Sequence, residues 1–77
     1  MTKLPPDPEQ MNDKRSTWAD EALATFMKTT GTDMEDALSD LLADLRHWAD
    51  RHGQNYDREA IRAECHYEAE TNEECET

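Results

Sequence analysis

Apolar residues recur at helical spacing through the middle of the chain. Met34, Leu38, Leu41, Leu45 and Trp48 follow one another at steps of four, three, four and three residues. These steps place their side chains on one face of an α-helix. The pattern predicts a helix whose apolar stripe is a core face.

A second helix is predicted before this one. Trp18, Ala22 and Phe26 lie on one line at helical spacing, and the pattern runs from about Asp13 to Thr29. Little in the sequence favours strands. The pattern therefore predicts an all-α protein.

The two glycines of the chain stand where helices are expected to stop. Gly31 suits the left-handed residue that commonly ends a helix, and Gly53 has the same role after a helix that runs to about His52. Between them, Thr32 and Glu35 match a capping box, in which each side chain accepts the backbone N–H of the other residue. The middle helix is therefore predicted to begin after Thr32.

A third helix is predicted from Arg58 to about Glu70. Asp57 suits its N-cap, and Tyr56 just before it can pack on Ile61 as a hydrophobic staple. The resulting fold class is a small three-helix domain over residues 13–70. Residues 1–12, which are polar and rich in proline, are predicted to form a flexible arm, and residues 71–77 an acidic tail.

A chain of 77 residues is near the size at which one apolar core barely outweighs chain entropy. Its large apolar side chains are few, so we expect a thin core and self-association or docking on a larger partner. We also expect no room for a small-molecule pocket, since such pockets occupy about 300–1,000 Å³. The large apolar residues of the chain are Trp18, Leu23, Phe26, Met27, Met34, Leu38, Leu41, Leu42, Leu45, Trp48, Tyr56, Ile61 and Tyr67.

Acidic residues dominate the charge of the chain and increase toward its end. There are 19 acidic and 8 basic residues, which gives a net charge of −11. The net charge is −1 over residues 1–32, −4 over residues 33–56 and −6 over residues 57–77. A field of this sign repels nucleic acid and anionic membranes and attracts basic surfaces. Direct binding to nucleic acid or to a membrane is therefore not expected.

Two rows of carboxylates follow helical spacing, and they are the candidate partner-binding residues. Successive members four residues apart rise about 6 Å along the helix, which is comparable to the spacing of phosphates on a nucleic-acid strand. One interpretation is a solvated face that keeps a small protein in solution. The other is a decoy that occupies the basic groove of a nucleic-acid-binding protein. The rows are Asp33, Asp36, Asp40 and Asp44 on helix two, and Glu64 and Glu68 on helix three.

No metal or other cofactor is expected. Cys65 and His66 are adjacent on a helix and point about 100° apart, and with Cys75 they match no common zinc spacing. Two cysteines form no evident disulfide framework, so the interpretation is a cytoplasmic protein with reduced thiols. No apolar run has the length of a signal peptide or a membrane span.

Catalysis is not expected, although one enzyme class deserves mention. Residues 36–63 are similar to half of the all-α nucleotide pyrophosphohydrolases, whose metal-binding carboxylates lie on helices as E-x-x-E and E-x-x-D. Asp33, Asp36 and Asp40 offer oxygen ligands that Mg²⁺ accepts. However, Ala37 stands where the first carboxylate of E-x-x-D belongs, and helix one has no E-x-x-E. The similarity is limited to a helical hairpin.

Residues 33–70 also resemble a group of short acidic proteins encoded by phages, plasmids and other mobile elements. The resemblance carries no known activity, so it assigns no functional residue. It implies a setting in which small acidic inhibitors of host defence, including anti-CRISPR and antirestriction proteins, are common. The matching residues are Asp36, Ala37, Leu38, Asp40, Leu41, Leu42, His47, Trp48, Ala49, Asp50, Arg51, Gly53, Asp57, His66, Tyr67, Glu68, Ala69 and Glu70.

Charge and resemblance together predict a non-enzymatic inhibitor of a basic, nucleic-acid-binding host protein, acting as a DNA or RNA mimic in the host cytoplasm. The alternative is a small helical scaffold or regulator that acts through its apolar face. The stripe on helix two has the heptad spacing of a helix–helix seam, parallel or antiparallel, and allows a homodimer through that helix.

Overall fold

The computed structural model describes residues 4–71 and contains, within that range, three α-helices and no strand. They are α1 (Asn12–Thr30), α2 (Met34–Arg51) and α3 (Tyr56–Glu70). The prediction of a small all-α protein with three helices is confirmed. The predicted acidic tail from residue 72 onward lies outside the described residues, as do residues 1–3 of the predicted arm.

A carboxylate from the predicted arm caps the start of α1. The N-cap residue, Met11, has no side chain for this purpose. Instead, an Asp7 oxygen accepts the N–H of Met11 at 3.1 Å, and the other Asp7 oxygen accepts that of Asn12 at 3.2 Å. The first N–H groups of a helix have no partner within it, and their positive dipole end favours a carboxylate. Asp7 thus attaches the second half of the arm to α1.

The predicted capping box at the start of α2 is wrong. The N-cap is Asp33, whose carboxylate accepts the N–H of Asp36 at 3.2 Å. Thr32 lies one residue outside the helix, where its N–H donates to the Thr30 hydroxyl at 3.2 Å. Asp is at least as good an N-cap as Thr, so the helix begins one residue later than predicted.

The start of α3 was also predicted at the wrong residue. The N-cap is Asn55, whose side-chain oxygen accepts the N–H of Arg58 at 3.0 Å. Tyr56 is therefore the first residue of the helix and not a staple before it, and Ile61 remains 65 % exposed. Asn and Asp are equivalent N-caps, and the choice of Asn55 places Asp57 in the first turn, where the helix dipole favours it.

Both glycines end helices, as predicted. Gly31 has a φ of 76°, and its N–H donates to the carbonyl of Met27 at 2.8 Å. Gly53 has a φ of 68° and follows the last turn of α2, where the N–H of Gln54 reaches the carbonyl of Ala49 at 2.9 Å. Residues with a Cβ are strained at such φ values, so glycine is the residue these turns require.

The three helices meet end to end. The Asn12 side-chain amide donates to the backbone carbonyl of Glu70 at 2.9 Å, and the Arg15 guanidinium lies 3.4 Å from the Glu70 carboxylate. In a bundle of three antiparallel helices, these residues would lie at opposite ends, about 25 Å apart. Their contact shows that α3, about 22 Å long at 1.5 Å per residue, runs from the end of α2 back to the start of α1.

The apolar stripe of α2 is exposed, contrary to its prediction as a core face. Met34 is 76 % exposed, Leu38 62 % and Trp48 52 %. Within residues 4–71, the buried residues are confined to Ala37 in the first turn of α2, Ala49 in its last turn, and Thr71 after α3. All three stand near the junctions between helices. Helices that meet at their ends do not cover one another's middle turns.

The open arrangement also appears in the dimensions of the molecule. Its accessible surface is 6716 Å², whereas a typical monomer of this mass has about 4,800 Å². The Cα radius of gyration is 14.3 Å, against about 11.5 Å for a compact domain of this length. About 1,900 Å² of surface thus remains accessible that a compact chain of this size would have buried.

The expectation of reduced thiols is wrong for Cys65, which is disulfide-bonded. Cys75, the other cysteine of the chain, lies outside the described residues. The cysteines therefore give no support to a cytoplasmic location. In the described part of the chain, no helix combines the length and apolar character needed to cross a membrane.

Candidate interaction surfaces

The predicted aspartate row lies along the exposed side of α2. Asp36, Asp40 and Asp44 are all exposed, and none of them forms an ion pair with another described residue. Asp33 is exposed too, but its carboxylate is used as the cap of α2. Three of the four carboxylates in the predicted row therefore remain available to a partner. We call Asp36, Asp40 and Asp44 the aspartate row.

The opposite side of α2 faces an apolar groove between α2 and α3. The groove has a volume of about 620 Å³ and is open to solvent along its length. It lies within the size range of small-molecule pockets, so the expectation that the chain has no room for one is wrong. The prediction failed because the space lies between two diverging helices and not inside a core. The groove is lined by Leu42, Leu45, Trp48, Ala49, Gln54, Tyr56, Glu59, Ala60, Ala63, Glu64 and Tyr67.

Two members of the aspartate row lie on the side of α2 away from the groove, and the third lies at its edge. Asp36 is nine residues before Leu45, which at about 100° per residue corresponds to half a turn around the helix. Asp44 is four residues before Trp48, only about 40° away around the helix. Leu45 and Trp48 line the groove. A partner that contacts Asp36 and Asp40 therefore does not enter the groove, whereas Asp44 lies beside it.

The second predicted carboxylate row is divided by the structure. Glu64 is exposed and lines the groove, while Glu68 is half-buried on α3. Neither forms an ion pair with another described residue. The six predicted partner-binding residues do not form one continuous acidic surface, because Asp36 and Asp40 face away from the groove that Glu64 lines.

Small residues on α3 make the groove, and the sequence contained a signal for them. Tyr56, Ala60, Ala63 and Tyr67 follow one another at steps of four, three and four residues. This is a second apolar stripe at helical spacing, with two large residues at its ends and two small residues in its middle. The alanines leave open the space that larger side chains would fill. This stripe was not predicted, because on α3 only the large apolar residues were assigned to a core.

Aromatic side chains make specific contacts at the end of the groove where α2 leads into α3. The Trp48 and His52 rings stack with centroids 4.2 Å apart and planes 13° apart. The Arg46 guanidinium lies 5.5 Å from the centre of the Tyr56 ring, close enough for a cation–π contact. Trp48 and Tyr67 line the same groove while remaining about half exposed.

Within residues 4–71, no three His, Cys, Asp or Glu side chains lie close enough together to hold a metal ion. Comparison of the whole chain with protein-family models, curated proteins and solved structures found no match. The candidate interaction surfaces are therefore the two faces of α2, one acidic and one apolar.

Proposed function

We propose that this chain is a non-enzymatic acidic binding protein that inhibits a basic, nucleic-acid-binding protein by occupying its nucleic-acid groove. The observation that supports it most is the aspartate row, which is exposed and has no ion-pair partner among the described residues. Its carboxylates repeat about every 6 Å along α2, as phosphates do along a strand. Such a row acts as a DNA or RNA mimic.

The net charge of −11 adds long-range attraction to a basic partner. Adjacent like charges cost a helix about 0.2–0.5 kcal/mol per pair, so retaining three of them in line is explained by a use in binding. The resemblance to short proteins of phages and plasmids supports an anti-CRISPR or antirestriction setting. The proposed location is the cytoplasm of the host cell.

The test is capture of a partner from a host-cell lysate on the immobilised protein. The retained protein is expected to be basic and to bind nucleic acid. Capture is expected to weaken as salt is raised, since ions screen attraction between exposed charges. It is also expected to be competed by the nucleic acid that the partner normally binds. A partner that holds nucleic acid and this protein together would exclude the mimic.

Charge-reversal variants show whether the aspartate row carries the binding. Asp36→Lys, Asp40→Lys and Asp44→Lys in one chain are expected to abolish capture and leave helicity intact. A matched control carries Asp20→Lys, Glu21→Lys and Asp50→Lys, which changes the net charge equally at exposed positions outside the row. The control is expected to weaken capture only slightly. Equal loss in both variants would mean that net charge, and not the row, attracts the partner.

A second function is favoured by the exposed apolar face. Within residues 4–71, the apolar stripe of α2 is largely uncovered, and the molecule exposes about 1,900 Å² more surface than a compact monomer. We propose that the chain forms a homodimer through α2 and acts as a small helical scaffold or regulator. Because Asp36 and Asp40 lie on the other side of α2, self-association leaves these two carboxylates free.

A further inference from the structure

We propose that the groove between α2 and α3 is filled by the first half of α2 from a second copy of this chain. The two copies are antiparallel and related by a two-fold axis, so each inserts into the other's groove. This inference rests on the proposed self-association through α2 and specifies its geometry. It makes no use of the aspartate row.

The two halves of α2 have complementary shapes. Met34 and Leu38 in the first half are the most exposed large apolar residues of the helix, at 76 % and 62 %, and they form a ridge. Leu45 and Ala49 in the second half line the groove. We call Met34 and Leu38 the ridge. The first half of α2 therefore presents a protruding apolar ridge, and its second half lines a recessed apolar groove.

The ridge and the groove lie on the same face of α2. Leu45 is eleven residues after Met34, and Ala49 is eleven residues after Leu38, so each pair differs by only about 20° around the helix. When the two halves of one helix face have complementary shapes, two copies of the helix can pack through that face in an antiparallel orientation. This is the requirement for a closed two-fold interface, in which the same patch is used twice.

The spacing of the stripe determines one register. With the two-fold axis between Leu41 and Leu42, Met34 of one chain lies opposite Ala49 of the other, and Leu38 lies opposite Leu45. Both residues of the ridge then enter the groove. In this register, Glu35 of one chain lies within about 3 Å, along the helix axis, of Arg46 of the other on the same flank. Opposite charges thus meet at the edge of the apolar contact.

The open arrangement leaves surface for a second copy. The whole chain exposes about 1,900 Å² more total surface than a compact chain of its mass, and a standard interface buries about 800 Å² on each partner. The negative charge of each chain opposes association, but Asp36 and Asp40 face away from the contact. Added salt screens this repulsion and leaves the apolar contact in place.

The first test is sedimentation equilibrium of the full chain between about 1 and 100 μM, where an interface of standard size is populated. The wild type is expected to be a dimer. Leu38→Glu is expected to weaken it at least tenfold, because the ridge must then place a carboxylate in the groove. Ile61→Glu is the matched control, since Ile61 is 65 % exposed and lies outside the groove. This control is expected to remain a dimer.

A wild type that is monomeric up to 100 μM would overturn the inference, whatever the variants do. So would a dimer that Leu38→Glu and Ile61→Glu weaken equally. Circular dichroism at each concentration establishes that the variants are folded. Because the wild-type result needs no variant, a variant that fails to fold leaves the inference testable.

The register is tested by pairing charges. Leu38→Glu and Leu45→Lys are each expected to weaken the dimer, whereas the chain that carries both is expected to dimerise at least tenfold more tightly than either. In the antiparallel register, each new Glu faces a new Lys; in a parallel pair, each would face its own kind. Non-additivity of this type reports a direct contact. A double variant no tighter than the single ones would overturn the antiparallel register.

Salt separates this inference from the inhibitor proposal. Dimerisation is expected to tighten as salt is raised from about 0.05 to 0.5 M, whereas capture of a basic partner is expected to weaken. A dimer that weakens with salt would overturn the apolar contact argued here. Loss of capture in the triple-lysine variant concerns the aspartate row alone, so the two proposals can fail separately.

Discussion

The Asp33 carboxylate and the Asn55 amide oxygen begin α2 and α3 by accepting one backbone N–H each, at 3.2 and 3.0 Å. The start of α1 depends on Asp7, which lies four residues before its N-cap. These bonds satisfy N–H groups that have no partner within the helices. Because the chain buries so little surface, the positions of the helix ends depend largely on these capping hydrogen bonds.

Substitution at the N-cap of α2 should distinguish the observed cap from the predicted capping box. Asp33→Ala is expected to lower the free energy of unfolding by about 1 kcal/mol, whereas Asp33→Asn keeps an acceptor and should cost little. Thr32→Ala should also cost less than Asp33→Ala, because Thr32 lies outside the helix. Urea unfolding followed by circular dichroism, at one chain concentration, measures all three. A larger effect at Thr32 than at Asp33 would restore the capping box.

The aspartate row places like charges four residues apart along α2. Asp40 is adjacent to both Asp36 and Asp44, and each such pair costs about 0.2–0.5 kcal/mol. Asp40→Asn is therefore expected to stabilise the chain by about 0.4–1 kcal/mol. Asp20→Asn is the control, because Asp20 is exposed on α1 with no charged residue three or four positions away. If both variants left stability unchanged, the row would carry no electrostatic cost.

At the scale of the helices, α3 is held mainly at its two ends. Its start is linked to α2 by four residues, 52–55, and its end contacts α1 through Asn12 and Arg15. The middle of α3 lines the groove and remains open. The angle between the helices, and thus the width of the groove, depends on a few polar contacts at these ends.

Removal of one such contact should release the end of α3. Asn12→Ala removes the bond to the Glu70 carbonyl and also the bond that Arg15 donates to the Asn12 side-chain oxygen at 2.7 Å. It is expected to cost about 1–2 kcal/mol, with faster amide hydrogen exchange over the last turn of α3. Arg62→Ala is the control, because its ion pair with Glu59 at 2.9 Å lies on the exposed surface of α3 alone. That pair should contribute less than about 0.5 kcal/mol. Equal exchange in both variants would show that Asn12 does not hold α3.

For the whole molecule, the main property is an excess of exposed apolar surface. Apart from Ala37 and Ala49, no apolar residue in the described part of the chain is buried. Burial of apolar area is the main favourable term in folding, and a chain that buries this little gains little from it as a single chain. In the dimer that we propose, association supplies much of the stability.

Thermal unfolding should accordingly depend on concentration. A tenfold rise in chain concentration stabilises a dimer by about 1.4 kcal/mol. With about 2.1 cal/mol/K per residue for the entropy of unfolding, the midpoint should rise by roughly 4 °C for two chains of this length. Calorimetry at several concentrations measures the shift. A midpoint independent of concentration would show that single chains are stable by themselves.

Local patterns in the sequence were enough to predict the three helices and to place their ends within two residues. Gly31 and Gly53 terminate helices because only glycine readily takes their left-handed conformation, and this property belongs to one residue and its neighbours. The N-caps were predicted one and two residues from their true positions, because Thr32, Asp33, Asn55 and Asp57 are all acceptable caps. Of the four aspartates predicted to form a row on one helix, Asp36, Asp40 and Asp44 do lie along α2, since their spacing is local, whereas Asp33 is its N-cap.

Two features depend on how the helices are arranged relative to one another: which apolar residues are buried, and where the groove lies. The stripe of α2 shows the same periodicity whether it faces a core, a second chain or solvent, so periodicity alone did not predict its exposure. The groove arises because α3 returns to the start of α1 instead of lying along α2. That path is determined by contacts between residues far apart in the chain, such as Asn12 and Glu70, and no local spacing encodes them.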